Sequence, residues 1–168
     1  GLFRFPSNFY LNTKTPLIYE NFNESNSSIN NSVYALCEGQ DDFVYIGTDG
    51  NGVSIFDMKS SKLVDWSEVL GNEKCAYFKS AYAIYQDEMG FVWVGTSGYG
   101  LIRFKIERFG NKLRVVQFKN HLARKEEKGF LSSNIIYSII PKNKDKLWIG
   151  TRLGGLNLFD KKTGLFET

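Results

Sequence analysis

The residues best suited to catalysis or metal binding are few in this sequence. His121 is the only histidine among 168 residues, which excludes a catalytic histidine pair and a zinc site built on histidines. It belongs to the polar run 119–128, which favours a solvated loop. The side chain is therefore not expected to do chemistry.

Two glycine-containing loops carry partial binding motifs. The stretch 95–100 has the glycines of a phosphate loop, but it joins one strand to another, whereas a dinucleotide fingerprint opens a helix. The stretch 49–53 begins like a calcium loop, but Val53 stands where an EF-hand needs an oxygen ligand. We therefore expect no catalytic residue, no metal site and no cofactor.

The same loops are links in a repeated unit. Three windows, 33–56, 81–104 and 136–159, align without a gap. The positions they share are Tyr34, Tyr82 and Tyr137; Tyr45, Trp93 and Trp148; Gly47, Gly95 and Gly150; Thr48, Thr96 and Thr151; Gly52, Gly100 and Gly155; and Phe56, Phe104 and Phe159. A period of about 50 residues indicates a repeat architecture.

Each window has the pattern of successive antiparallel strands. In the first strand, the side chains alternate in polarity around the shared tyrosine. The second strand, such as 91–96, is apolar on both faces, which predicts burial from both sides. A short glycine-containing link leads into the third strand, and a fourth follows, for example 113–118. Four such strands per repeat are typical of a β-propeller blade.

The predicted fold is therefore all-β: a β-propeller fragment of about three and a half four-stranded antiparallel blades, forming an open arc rather than a closed ring. Residues 1–30 are expected to form an outer half-blade, and 31–79, 80–131 and 132–168 one blade each. An open arc exposes a strand edge and the face of a blade. We therefore expect the fragment to associate with itself.

The composition is that of a folded protein and argues against a disordered, a membrane-spanning or a nucleic-acid-binding one. Hydrophobic residues make up 42% of the chain and charged residues 23%, enough to build a core. No apolar run approaches the ~18 residues of a membrane helix, and the first residues lack a signal-peptide pattern. The net charge of +3 is too weak to indicate nucleic acid. Pairing of Cys37 with Cys75 stays open.

The windows resemble the two-component regulator propeller repeat. The stretch 147–160 matches best, with Leu-Trp-Ile-Gly-Thr, a short loop and Gly-Leu-x-x-Phe-Asp, and 131–134 agrees with the polar start of that repeat. A second good copy lies at 91–96. The first window departs at Tyr45 and Val53, where the repeat has Trp and Leu.

This resemblance implies the periplasmic sensor of a bacterial hybrid two-component histidine kinase anchored in the inner membrane. Such receptors detect an oligosaccharide in many cases and regulate glycan-utilisation genes through a phosphorelay. The remaining blades and a β-sandwich of the receptor are then the expected partners. The chain itself lacks a kinase segment, so we expect no enzyme activity in it and no contact with membrane or nucleic acid.

Ligand residues are expected on the loops of one propeller face, since a rigid scaffold positions them there. The candidates are Asp49, Asn51, Tyr99 and Arg152, with Tyr77 and Asn134 behind them. Tyr99 is suited to stacking on a sugar, and Arg152 to binding a carboxylate or sulfate. Asp49 and Asn51 are equally explained as turn formers.

Three alternatives remain open at this point. The chain could belong to a propeller-fold lyase or hydrolase, or to a scaffold that binds protein rather than ligand. The basic stretch 103–128 could favour an anionic glycan, or it could be a solvated strand and loop.

Overall fold

A computed structural model describes residues 2–4, 20–22, 32–40, 42–64, 69–70, 79–124 and 127–168. Tyr77 and Cys75 lie outside these ranges. The strands of the described residues are β1 Leu2–Arg4, β2 Glu20–Phe22, β3 Val33–Glu38, β4 Phe43–Thr48, β5 Gly52–Asp57, β6 Lys62–Val64, β7 Ala81–Gln86, β8 Val92–Thr96, β9 Leu101–Phe109, β10 Lys112–His121, β11 Ile136–Pro141, β12 Lys146–Thr151, β13 Leu156–Asp160 and β14 Phe166–Glu167.

Three of the sheets are four-stranded antiparallel meanders, in which each strand pairs with the next along the chain. We call β3–β6 the first sheet, β7–β10 the middle sheet and β11–β14 the last sheet. Strands β1 and β2 form a separate antiparallel pair. The predicted all-β fold, an open arc of four-stranded blades, is confirmed.

The sheets share an inner rim. Strand β7 lies beside both β3 and β11, so the first strands of the three sheets are neighbours. Each sheet then continues outward to its fourth strand. We call the rim formed by β3, β7 and β11 the hub.

Apolar side chains fill the spaces between the sheets. Phe43, Tyr45 and Ile55 of the first sheet pack against Val94 and Phe104 of the middle sheet. A second cluster joins the middle sheet to the last one, and its buried members are Phe91, Trp93, Leu101, Leu131, Ile136, Leu147, Ile149, Phe159 and Phe166. Strand β8 is buried along its whole length because both neighbouring sheets cover it.

His121 does not lie in a solvated loop, and that expectation is wrong. The β9–β10 hairpin is longer than predicted, and its outer strand continues to His121, which pairs with Leu101. There the imidazole is buried against Phe159 and Trp93, with ring centroids 4.9 and 6.3 Å away. The polar residues around it in sequence concealed this aromatic environment, because its partners come from β8 and the last sheet.

Cys37 is a free thiol that packs against the first core cluster, and burial raises its pKa. Among the described residues, no helix has the length and apolar character needed to cross a bilayer.

Candidate ligand-binding face at the hub

The links between second and third strands are closed by the same hydrogen bond in all three sheets. Each begins at a threonine whose hydroxyl donates to the carbonyl of the glycine four residues later. The three bonds are Thr48 Oγ1 to Gly52 O (3.1 Å), Thr96 Oγ1 to Gly100 O (2.9 Å) and Thr151 Oγ1 to Gly155 O (2.9 Å). This bond closes the link and holds its polar residues at the strand end.

The glycine before each threonine marks where a sheet approaches its neighbour. A Cβ on Gly47 would lie 2.6 Å from the Ala81 carbonyl oxygen of the middle sheet. A Cβ on Gly95 would lie 2.5 Å from Ile136 Cγ2 of the last sheet. Only glycine allows this separation between sheets. At Gly150 the obstructing atom is Ser138 Oγ, within the same sheet.

In the first two links, the first residue also connects neighbouring sheets through the main chain. Asp49 bridges to Ser80 at the start of the middle sheet, and Ser97 bridges to Ile135 at the start of the last. Arg152 has the equivalent position in the last sheet, but its N–H donates to Ile135 O of the same sheet at 2.9 Å. These main-chain contacts all lie at one end of the hub.

Asp49 lies at this end of the hub, and its side chain is already hydrogen-bonded. Ser80 Oγ donates to Asp49 Oδ1 at 2.7 Å and accepts the Gly50 N–H at 3.1 Å. The carboxylate is therefore fixed against the middle sheet, and its second oxygen, Oδ2, has no partner among the described residues. Asp49 is both a turn former and an oriented acceptor at the rim.

Arg152 differs from Asp49 in being exposed. The next residue, Leu153, is 98% exposed and has a φ of 60°, a left-handed conformation that is costly for a leucine. Gly50 and Gly98 take the equivalent place in the other links. The last link therefore presents a charged and an apolar side chain to solvent.

The remaining described candidates, Asn51, Tyr99 and Asn134, differ in their exposure and contacts. Asn51 is exposed in its link, and Tyr99 is half-buried against the first core cluster. Asn134 is a connector, because its Oδ1 accepts the Ala123 N–H at 2.6 Å and its carbonyl accepts the Gly100 N–H at 2.9 Å. Asp49, Asn51 and Arg152 thus lie on the links, whereas Asn134 ties the middle sheet to the last.

Sequence reasoning did not select three tyrosines that lie on the hub. Tyr34, Tyr82 and Tyr137 come from β3, β7 and β11, and we call them the tyrosine row. Ring centroids are 5.3 Å apart between Tyr34 and Tyr82, and 5.6 Å apart between Tyr82 and Tyr137. Their common place in the three windows was the available signal, but a repeated tyrosine in a strand is more readily assigned to the core.

The middle tyrosine connects the row to the links. Burial raises the pKa of Tyr82, and the negative charge of Asp49 raises it further, while a hydrogen bond with the Ser97 side chain acts in the opposite direction. The phenol therefore lies near the first residues of two adjacent links. Asp49, Ser80, Tyr82 and Ser97 form one polar group beside the middle of the row.

The basic stretch lies elsewhere. Strands β9 and β10 form the outer half of the middle sheet, with a groove of about 660 Å³ between their tip and β6. Arg108, Lys112 and Arg114 line it, and Arg108 already pairs with the buried Asp57 at 3.0 Å. These cations are at the far edge of the sheet from the hub. They do not contribute to the link face, which is the end of the hub formed by the links 49–51, 97–99 and 152–154.

Comparison with known proteins agrees with this architecture. The family model for the two component regulator propeller matches residues 27–50 and 78–98. No curated protein sequence matches the chain.

Among solved structures, the chain is similar to the extracellular domain of the hybrid two component system BT3049 from B. thetaiotaomicron, with a TM-score of 0.68 and 18% identity over 89% of this chain. It is also similar to the extracellular domain of the one component system BT4673 from the same organism, with a TM-score of 0.67 and 18% identity over 91% of this chain. The chain spans 20% of the length of each. Two segments of the chain therefore match repeats of the two component regulator propeller, and its three four-stranded sheets fold as neighbouring blades of an open arc.

Proposed function

We propose that this chain is the ligand-sensing propeller segment of a periplasmic receptor in a hybrid two-component system, with an oligosaccharide as its ligand. The observation that carries the proposal is the link face: three equivalent links hold polar side chains at one end of a rigid hub. Regulatory repeats in the chain and the extracellular location of the structural neighbours support the sensing role. Transcription of glycan-utilisation genes would be the response of the whole receptor.

A titration of the purified chain tests the proposal. Neutral and anionic hexasaccharides would be added while heat of binding and thermal midpoint are followed. A ligand at one hundred times its dissociation constant stabilises the native state by about 2.7 kcal/mol, which raises the midpoint by several degrees. If no hexasaccharide binds or stabilises the chain, the ligand-sensing role fails.

A propeller-fold lyase or hydrolase is less well supported. The only histidine of the chain, which is the side chain such an enzyme would most readily use as a base, is buried among aromatic rings between two sheets. Desolvation by burial lowers its pKa to about 4, and the charges of Lys119 and Arg103 act in the same direction. This imidazole is not placed to meet a substrate.

A protein-binding role is favoured by one specific observation. The outward face of the last sheet leaves Ile140, Leu156 and Leu165 more than half exposed, although Leu156 is equivalent to the fully buried Leu101. A further blade of the receptor, or another copy of the chain, would bury this face. We expect the isolated chain to self-associate through it, and a monodisperse monomer in sedimentation velocity would contradict that expectation.

A further inference from the structure

The tyrosine row is an accessible aromatic surface rather than part of the core. Tyr34 and Tyr137 are 56% and 53% exposed, even though each ring contacts that of Tyr82. At a second shared aromatic position, Tyr45 and Trp93 are each only 1% exposed. Packing between the three sheets therefore buries Tyr45 and Trp93, whereas Tyr82 is half-buried and the first and last tyrosines of the row are accessible.

A backbone irregularity places each of these tyrosines. Val33 pairs with Thr48 and Ala35 pairs with Gly47, so that Tyr34 is an extra residue on β3. The same register shift occurs around Tyr82 in β7 and around Tyr137 in β11. A β-bulge interrupts the ladder and redirects one side chain. Here the same bulge, at the same step of three sheets, redirects a tyrosine each time.

The surroundings of the row define the chemistry that it would recognise. Beside the rings stand the Asp49 carboxylate, held by Ser80, and the side chain of Ser97, which lies near the Tyr82 hydroxyl. A wholly apolar partner would have to desolvate these polar groups without compensation. An anionic partner would be repelled by the carboxylate. A ligand with apolar faces and many hydroxyl groups meets neither penalty.

We propose that the tyrosine row is a carbohydrate-contact surface that takes an uncharged stretch of glycan along the hub. The C–H faces of the sugars would pack against the exposed parts of Tyr34 and Tyr137, and a sugar hydroxyl would donate to Asp49 Oδ2. This inference rests on the proposed sensing function and adds to it the site and the class of ligand. The links offer single apolar side chains, the exposed Leu153 and the half-buried Tyr99, but no comparable row of rings.

Binding measurements on paired variants test the inference. The probes are cellohexaose, xylohexaose and 1,5-linked arabinohexaose as neutral glycans and hexagalacturonate as the anionic one, added to the purified 168-residue chain in a calorimeter. We expect Tyr34→Ala and Tyr137→Ala each to weaken binding of a neutral hexasaccharide about three- to tenfold, the range of a single aromatic contact. Tyr34→Phe and Tyr137→Phe, which keep the ring, should retain most of the affinity.

Phe109→Ala provides a matched control, because Phe109 is 54% exposed but ends strand β9 at the tip of the outer hairpin. Its removal should leave binding unchanged. The thermal midpoint of every variant is measured without ligand, and the double variant Tyr34→Ala/Tyr137→Ala should unfold cooperatively while binding more weakly than either single variant.

Three results would overturn the inference. Unchanged affinity in the folded double variant would remove the tyrosine row from the site while leaving the sensing function intact. Preference for hexagalacturonate, lost in Arg152→Gln but not in the tyrosine variants, would replace a neutral ligand by an anionic one. Absence of binding to any probe by the wild-type chain would overturn both this inference and the sensing function.

Discussion

The middle and last sheets contain the same strands in the same order, yet they differ in how their shared residues are buried. Trp93 and Leu101 of the middle sheet are almost wholly buried, because the last sheet packs over them. The equivalent Trp148 is only half-buried, with Lys142 Nζ 4.9 Å from the ring centroid, and Leu156 is 56% exposed.

This difference shows that a residue at a given position of the repeat is buried only where the next sheet covers it. A position such as Trp93 stabilises the protein only when the following sheet is present, since burial and not the residue type sets its contribution. The stability of such an array is then a sum of sheets and of interfaces between neighbours. The comparison can be tested by making the same substitution in both sheets.

The tryptophans should give the largest contrast. Trp93→Ala opens a cavity between two sheets and removes the hydrogen bond from Trp93 Nε1 to Asp87 Oδ2 (2.8 Å), so we expect a loss of about 3–5 kcal/mol. Trp148→Ala removes a half-buried ring and should cost about 1 kcal/mol. Urea unfolding of both variants measures the two values, and equal losses would mean that the last sheet is covered in solution.

Acid should weaken the interface between these sheets through His121. Its pKa is lowered to about 4 by burial first, and then by the charges of Lys119 and Arg103, whereas the unfolded chain should titrate near 6.5. The unfolded state therefore binds the proton first, so that stability is full above pH 6.5 and falls as the pH decreases to 4. The loss should be about 3 kcal/mol.

The variant His121→Phe serves as the control for this titration. It keeps an aromatic ring beside Phe159 and Trp93, and it should remove that part of the pH dependence between 6.5 and 4. An identical pH profile in the variant and the wild type, measured by urea unfolding, would show that the imidazole is not desolvated.

The glycines before the threonines should give an intermediate contrast. Gly95→Ala places a methyl group 2.5 Å from Ile136 Cγ2 and 3.2 Å from its carbonyl oxygen, and separating the sheets should cost about 1–3 kcal/mol. In Gly150→Ala the obstructing Ser138 hydroxyl belongs to an exposed side chain that can rotate, so the cost should be smaller. Chemical denaturation measures the loss of stability in both variants. A larger loss in Gly150→Ala than in Gly95→Ala would contradict the close contact assigned between the middle and last sheets at Gly95.

The threonines of the links should show the smallest contrast. Thr96 is buried, and its hydroxyl both donates to Gly100 O and accepts the Tyr99 N–H at 2.8 Å. Thr96→Val should therefore cost about 1–2 kcal/mol, since the Tyr99 N–H loses its partner and Gly100 O keeps only the Thr96 N–H at 3.3 Å. Thr151→Val, where water reaches the bond, should cost about 0.5 kcal/mol. Similar midpoints for both variants would contradict the difference in burial.

Much of the fold could be predicted from the sequence because the patterns that mark its strands and turns involve residues close together in the chain. The second strands are read from their apolar residues, and the Gly-Thr pairs mark where they end. His121 was misplaced because the hairpin length depends on pairing across β9 and β10, and the imidazole's partners lie in another sheet. The bulges at the tyrosine row escaped prediction for a related reason, since a register shift is defined only by the partner strand.

Local patterns in the sequence are enough to predict an array of antiparallel sheets with a polar link after each Gly-Thr pair. Periodicity, turn residues and alternation act over a few residues, so they are visible without a structure. Three features follow only from the packing of the sheets: Asp49 is fixed by Ser80, His121 is buried between sheets, and three tyrosines lie side by side on the hub. Those features depend on contacts between residues about 30 to 55 positions apart, which are made by packing one sheet against the next.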